Sequence, residues 1–187
     1  MDIYELIKKR RTIRKFKQIP IKRAMLEKFI DAAHYAPSGN NLQPLKYKIV
    51  DDHETVEKVF EYVKWAGSIY PAGNPGENEH PVAFIAILVD TRITTVIYEL
   101  DVGSASENIF LTALEEGIGT CWMGAIDRKK IIEILEIPEY FLLNTVIALG
   151  YPAEAPIMEP STGSVKYYKD ENGVLHVPKR SLSEIII

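Results

Sequence analysis

The longest apolar runs in this chain, of which Val82–Val89 is one, fall far short of the roughly 20 residues that span a bilayer; they have the length of buried strands. The chain must therefore fold around an interior of its own. With 47% hydrophobic and 26% charged residues in 187, it has material for one sizeable core, and residues 1–187 are read as a single domain.

The segments around that run alternate in period. Asp2–Lys9 carries Ile3, Leu6 and Ile7 at helical spacing with Asp2 placed to cap it. Lys22–Ala36 repeats the pattern with Leu26, Phe29, Ile30 and Ala33 and stops at Pro37, where helices tend to end. Pro37–Pro44 holds turn residues and side-chain amides without apolar periodicity, which predicts an ordered loop before a strand at Tyr47–Val50. Further helices are expected over Thr55–Val63 and Thr94–Glu116, and strands over Val82–Val89, Gly119–Met123 and Leu143–Leu149. Ala66–Pro81, with three prolines and three glycines, is too interrupted for a long element. Interleaved helices and strands without repeats predict an α+β or α/β fold. The apolar tail Val174–Ile187 is too short for a core of its own and needs a place to dock, a partner subunit being one.

Several classes are disfavoured. The single cysteine, Cys121, leaves no disulfide framework, and four scattered histidines show no metal-ligand spacing, so no metal is expected. A net charge of −4 argues against a dedicated nucleic-acid binder. The amino terminus places acidic residues before its apolar positions and basic ones after, the reverse of a secretory signal, which predicts a cytoplasmic protein without membrane attachment.

The densest charge lies in Lys8–Lys15, six cations in eight positions. Arginine forks match phosphate oxygens and a threonine hydroxyl adds a donor, so Arg10, Arg11, Thr12 and Arg14 could hold a phosphate monoester; such residues also offset the dipole at a helix C-terminus. Lys179-Arg180, far away in sequence, could converge on the same anion or simply be solvated. The hydroxyl and amides of Ser38–Gln43 suit the polar edge of a heterocycle, or an ordinary turn. Gly117–Gly124 fits neither GxGxxG nor GxxxxGK[ST], so a Rossmann turn or P-loop is unsupported, and Gly103–Ser106 lacks the last glycine of a nucleophile elbow. Cys121 in an apolar strand reads as core. Trp65, Tyr70 and Trp122 could flank a planar ligand or pack internally.

Taken in order, these segments resemble the FMN-dependent nitroreductase family along nearly the whole chain. The family's R-R-[ST]-x-R-x-F pattern is matched by Arg10–Phe16 and its A-P-S-x-x-N-x-Q-P by Ala36–Pro44. Its D-x-G-x-A-x-x-N helix appears as Asp101, Gly103, Ala105 and Asn108, its G-x-G-T-x-W-x-G strand as Gly117–Gly124, and its terminal basic pair as Lys179-Arg180 before Leu182. The resemblance implies an α+β, three-layer sandwich with a central, mostly antiparallel sheet flanked by helices, assembled as an intertwined homodimer with an FMN site at each interface. By the same resemblance, Arg10, Arg11 and Thr12 meet the FMN phosphate and ribityl chain with Lys179 or Arg180, and Arg14 lies near the flavin pyrimidine edge. Pro37, Ser38, Asn40, Asn41 and Gln43 bind from the loop, with Ser38, Asn40 and Asn41 reaching across from the facing subunit, while the backbone of Met123 and Gly124 approaches flavin N5.

No catalytic side chain is implied; the flavin carries the chemistry, with Arg14 and Gly124 adjoining its reactive ring. NADH or NADPH is the expected transient donor, and a nitroaromatic, quinone or related small molecule the acceptor, in a ping-pong cycle. Other family chemistries remove halogen from aromatic rings or oxidise peptides and flavins; a flavin carrier or redox sensor without turnover, or a nucleic-acid module using Lys8–Lys15, are the remaining alternatives. Two departures stand out. Leu45 occupies a slot where the family often has tryptophan, and the short Ala66–Pro81 segment, where larger relatives place covering helices, implies a more open site.

Overall fold

Every residue of the strand Ala83–Asp90 is buried, and alternate side chains feed two separate cores. Phe84, Ala86 and Leu88 enter one and Ala83, Ile85 and Ile87 the other, as the two-residue period of a strand requires. That explains why Val82–Val89 is apolar throughout instead of alternating: both faces of the strand are covered.

The computed structural model describes residues 2–187. In chain order the elements are α1 (Ile3–Lys9), β1 (Phe16–Lys17), α2 (Arg23–His34), β2 (Leu45–Val50), α3 (His53–Phe60), β3 (Ala83–Asp90), α4 (Tyr98–Glu115), β4 (Gly119–Met123), α5 (Arg128–Ile134), β5 (Phe141–Pro152), β6 (Ile157–Pro160), β7 (Tyr168–Lys169), β8 (Leu175–Lys179) and α6 (Leu182–Ile185). The main sheet runs β2-β3-β5, with β4 and β1 also paired to the long β5, and every pairing in it is antiparallel. Helices α2 and α4 cover one face through Leu26, Phe29, Val102, Ile109 and Phe110. Helices α3 and α5 cover the other through Val56, Val59, Ile131 and Leu135. The result is the expected α+β three-layer sandwich. A second sheet, β6-β8-β7, pairs β6 with β8 in parallel and β7 with β8 antiparallel.

Two glycines fasten the segment after α1 onto the main sheet. A Cβ on Gly119 would stand 2.8 Å from the Ile13 side chain, and one on Gly150 would stand 2.8 Å from Phe16. Without side chains at those positions, Ile13 and Phe16 sink into the sheet surface. The Ile13 amide donates to Thr120 O (2.9 Å), the Phe16 amide to Glu79 O (3.0 Å), and the Ala153 amide to Lys15 O (2.8 Å). Hence Gly119 serves packing and does not cradle a phosphate.

Some boundaries differ from the sequence expectation. Helix α4 begins at Tyr98 rather than Thr94, because Ile97 sits in the left-handed region (φ 63°) and the Val96 amide is taken by Thr94 Oγ1 (3.2 Å). Helix α3 begins and ends earlier than Thr55–Val63, because Asp52 caps it, accepting from the Thr55 amide at 2.9 Å. Asp2 occupies the N-cap position of α1, yet its side chain makes no capping bond. Helices α5 and α6 and strands β1, β6, β7 and β8 lie outside the elements that apolar periodicity predicts. Within Ala66–Pro81 the regular structure is one three-residue 3-10 turn, Gly67–Ile69. Among the described residues no helix is long and apolar enough to cross a membrane.

Candidate functional site

Past the end of α1 the chain turns extended at Arg10 and runs along the sheet edge with Ile13 buried between half-buried Thr12 and Arg14. Alternation then presents Thr12 and Arg14 away from the core that holds Ile13. Across from them, strand β8 delivers Leu175, Val177 and Lys179. Arg10, Arg11, Thr12, Arg14, Tyr167, Leu175, Val177 and Lys179 line one cavity of about 210 Å³. Three arginines of the Lys8–Lys15 cluster and Lys179 from the far end of the chain thus meet within one subunit, around a space with no carboxylate in its lining.

Each cation is held differently. Arg10 Nε lies 3.5 Å from Glu107 on α4, and its guanidinium lies 5.8 Å from the Phe110 ring centre. Arg11 folds back on α1, donating to the carbonyls of Lys8 (2.8 Å) and Arg10, and burial, with the Arg10 charge beside it, lowers its pKa below the ordinary guanidinium value. In this subunit Arg11 thus also satisfies carbonyls at a helix C-terminus. Arg14 is positioned by its own amide, which donates to Glu154 Oε1 (2.6 Å), and its guanidinium sits 5.1 Å over the Tyr167 ring. Lys8 and Lys15 are engaged elsewhere, with Glu5 (2.9 Å) and Glu79 (2.6 Å). Lys179 lines the cavity; Arg180, one residue on, is exposed and is not part of that lining.

The strand that carries Lys179 is braced from below. His176 points opposite to Leu175 and Val177, with Nδ1 2.8 Å from Glu159 Oε2 on β6 and Nε2 3.4 Å from Asp170 Oδ2, and its ring stacks on Tyr168 at 4.8 Å. The bond to Glu159, joined by that to Asp170, raises the His176 pKa above its ordinary 6.5, while the same contacts help hold both carboxylates below their usual range. A raised folded-state value means the brace has full strength below about pH 6.5 and is lost as pH climbs through the raised value. Corrected amide exchange in β8 is therefore expected to quicken as pH rises above 6.5, and His176→Gln to remove that dependence; exchange that stays flat in the native protein would refute it.

The Ser38–Gln43 loop occupies a second place, on α4. Asp101, buried in the helix, accepts from the Gly39 amide (2.9 Å); Ser104 Oγ donates to Pro37 O (3.2 Å) and Asn108 Nδ2 to Ala32 O (2.9 Å). Asp101 and Asn108, the two polar positions of the D-x-G-x-A-x-x-N pattern, thus act with Ser104 between them to tie down the end of α2 and the loop after it. Burial, reinforced by the Asp101 charge, pushes the neighbouring Tyr47 hydroxyl up to about 12. Asn40, Asn41 and Gln43 all adopt positive φ (51°, 57° and 51°), and the Gln43 amide is fixed by Ser38 Oγ at 3.1 Å. Three left-handed non-glycine residues within four positions, interrupted by right-handed Leu42, are held only where the surroundings determine them, and such residues concentrate at binding sites. The loop lines a small cavity with Pro37, Ser38, Gln43 and Asp101, separate from that of the cations.

Beyond β4, Gly124 is exposed, and a Cβ there would meet nothing within 4 Å. The Met123 side chain is buried, with its carbonyl accepting from Thr145 Oγ1 (2.8 Å). Cys121 is core, as expected, and burial pushes its thiol up to about 12. Trp65 packs against Phe60 (5.6 Å) and is buried, while Tyr70 and Trp122 are exposed. Sequence reasoning missed Arg128, which donates to Asn144 O (2.8 Å) and Gly124 O (3.4 Å); Asp127 capping a helix ahead of Ile131 and Leu135 was the available signal. Among the described residues no group of three or more His, Cys, Asp or Glu side chains could hold a metal ion.

Residues 7–151 match the model of the Nitroreductase family. A protein of Methanothermobacter thermautotrophicus, provisionally named NADH dehydrogenase/NAD(P)H nitroreductase, is 32% identical over 162 residues, covering 83% of this chain and 80% of that one. The crystal structure of a nitroreductase family protein from Clostridium novyi NT superposes with a TM-score of 0.68 at 31% identity, covering 81% of this chain and 86% of the other. That of an FMN-dependent nitroreductase from Clostridium difficile superposes with a TM-score of 0.65 at 27% identity, covering 80% and 87%.

Proposed function

This chain belongs to the nitroreductase family, and from that membership we propose that it is an FMN-dependent oxidoreductase that takes electrons from NADH or NADPH and passes them to a nitroaromatic, quinone or related small molecule. The observation that carries the reading is the cavity that joins Arg10, Arg11, Thr12 and Arg14 to Lys179. Three of its cations, Arg10, Arg11 and Lys179, together with the Thr12 hydroxyl and with no carboxylate in the lining, form a donor set suited to a phosphate monoester.

When bound, FMN supplies the two-electron chemistry, accepting hydride from the dinucleotide and returning electrons to the acceptor. The residues of the chain bind, orient and neutralise. Arg10, Thr12 and Lys179 hold the phosphate, with Arg11 closing the wall behind them. Arg14, kept in place by Glu154 and Tyr167, would supply a fixed positive charge to the flavin ring, on which reduction builds negative charge. Met123 and Gly124 would present backbone to the flavin, and the bare Cα of Gly124 would admit close approach.

Ser38, Asn40 and Asn41 reach the same ligand from a second copy of the chain. Support for an intertwined homodimer comes from apolar surface that the single chain leaves in solvent: Ile3, Tyr4 and Ile7 on α1, Leu100 on α4 at 74% exposure, and Ile185, Ile186 and Ile187 in the tail. The single short turn within Ala66–Pro81 supports an acceptor site more open than one roofed by a long helix.

Purified protein is expected to be yellow, with one FMN per chain released on denaturation. Initial rates with NADPH and a quinone should give parallel double-reciprocal lines, since donor leaves before acceptor binds. Colourless protein that gains no colour from added FMN would defeat the assignment, and intersecting lines would defeat the ping-pong order.

A further inference from the structure

Lys64, Gly124, Ala125, Ile126, Asp127 and Arg128 border a cleft of about 540 Å³ that the cofactor assignments above leave unused except at Gly124. A space of that size is within the range of small-molecule sites. Its walls are built from pinned backbone. The Lys64 amide donates to Ala125 O (2.9 Å), the Asp127 amide to Tyr62 O (2.9 Å), and Val63 bridges Ile126. The segment after α3 is therefore fixed to the segment after β4, and Lys64 and Arg128 are fixed with it.

The charge on this cleft is positive. Asp127 caps α5, accepting from the Lys130 amide at 3.1 Å. Arg128 uses only Nη2 on the carbonyls of Asn144 and Gly124, which leaves Nε and Nη1 free to donate. Among the described residues no carboxylate forms an ion pair with Lys64 or Arg128. Two cations border a cleft whose lining also includes Gly124, the residue assigned to the reacting edge of the flavin.

We propose that this cleft seats a phosphate or carboxylate group carried by the molecule that exchanges electrons beside Gly124, with Lys64 and Arg128 setting specificity for anionic substrates. The inference rests on the functional reading above and names the substrate class for it. Two sources share the chemistry: the phosphates of a pyridine dinucleotide, and the carboxylate of an aromatic acceptor.

Lys64→Glu in the FMN-loaded protein tests it, because Lys64 is exposed and its side chain holds no structural bond. Two measurements at low salt separate the sources. One is the dissociation constant of NADP+, read from the flavin spectrum; the other is the Michaelis constant for para-nitrobenzoate, set against that for uncharged benzoquinone. A weakening of about tenfold, the lower range for losing a charged partner, is expected in one or both anionic ligands, with less than a twofold change for benzoquinone. A change confined to NADP+ identifies the dinucleotide phosphates, and one confined to nitrobenzoate identifies the acceptor. No change in either, with full flavin content, overturns this proposal and leaves the oxidoreductase reading standing; native protein that binds no flavin overturns both.

Discussion

Arg10→Ala combined with Lys179→Ala is expected to yield a folded protein that no longer retains FMN. The two side chains come from opposite ends of the described chain and line one cavity. Each hydrogen bond from a cation to a phosphate is worth about 1.5–3 kcal/mol, so losing both should weaken FMN binding by roughly 10²–10⁴-fold. Folding should barely notice. Arg10 forms one long, partly exposed pair with Glu107 (3.5 Å), and Lys179 sits at a strand end; exposed pairs contribute about 0–1 kcal/mol. Quenching of free FMN fluorescence measures the affinity and thermal melting the fold. A double variant that keeps FMN at native affinity would remove the phosphate assignment, whatever its melting temperature.

Phe16→Ala should have the largest effect on stability. Phe16 is 0% exposed, lies against Gly150 where no Cβ intervenes, and closes the pattern that begins at Arg10. Truncating a buried phenylalanine costs about 3–5 kcal/mol, a large part of the 5–15 kcal/mol that a typical fold possesses. For a chain of this size that corresponds to a fall in Tm of roughly 6–20 °C. FMN affinity should fall as well, because the same segment carries Thr12 and Arg14. Gly150→Ala provides the mirror test: the added methyl would press on Phe16 at 2.8 Å and push the segment off the sheet from the other side. A Phe16→Ala melting temperature within about 2 °C of native, well under the expected fall, would show that the segment is fastened by its backbone bonds alone.

Much of the sandwich is readable from residue order because its parts are locally determined. Helix α2 announces itself by apolar spacing and the proline after it, and β3 by an unbroken apolar run. The second sheet is unreadable for the opposite reason. β6 and β8 are short, their side chains mostly half-buried or exposed, and they pair in parallel across a wide gap in the chain, so neither carries a pattern of its own. The same contrast holds at the site. Arg10, Thr12 and Arg14 stand out through charge density, and Lys179 through contrast with its neighbours. What Asp101 and Asn108 do, holding the loop after α2 and the end of α2 itself, requires knowing that α4 runs beside them. The left-handed Gln43 could not be foreseen either, since nothing in a glutamine favours that conformation.

Strand β8 has no neighbour in the main sheet; it is held by β6 and β7 and contributes the last cation of the cavity. On the proposed assignment of Lys179 to the FMN phosphate, a nascent polypeptide emerging from the ribosome could complete the whole central sandwich and still hold its cofactor only weakly. Tight binding would then wait for residue 179 to clear the exit tunnel. Flavin retention then reports whether synthesis reached that point and whether proteolysis has spared it, so colour becomes an assay for the intactness of a stretch that contributes little to the principal core.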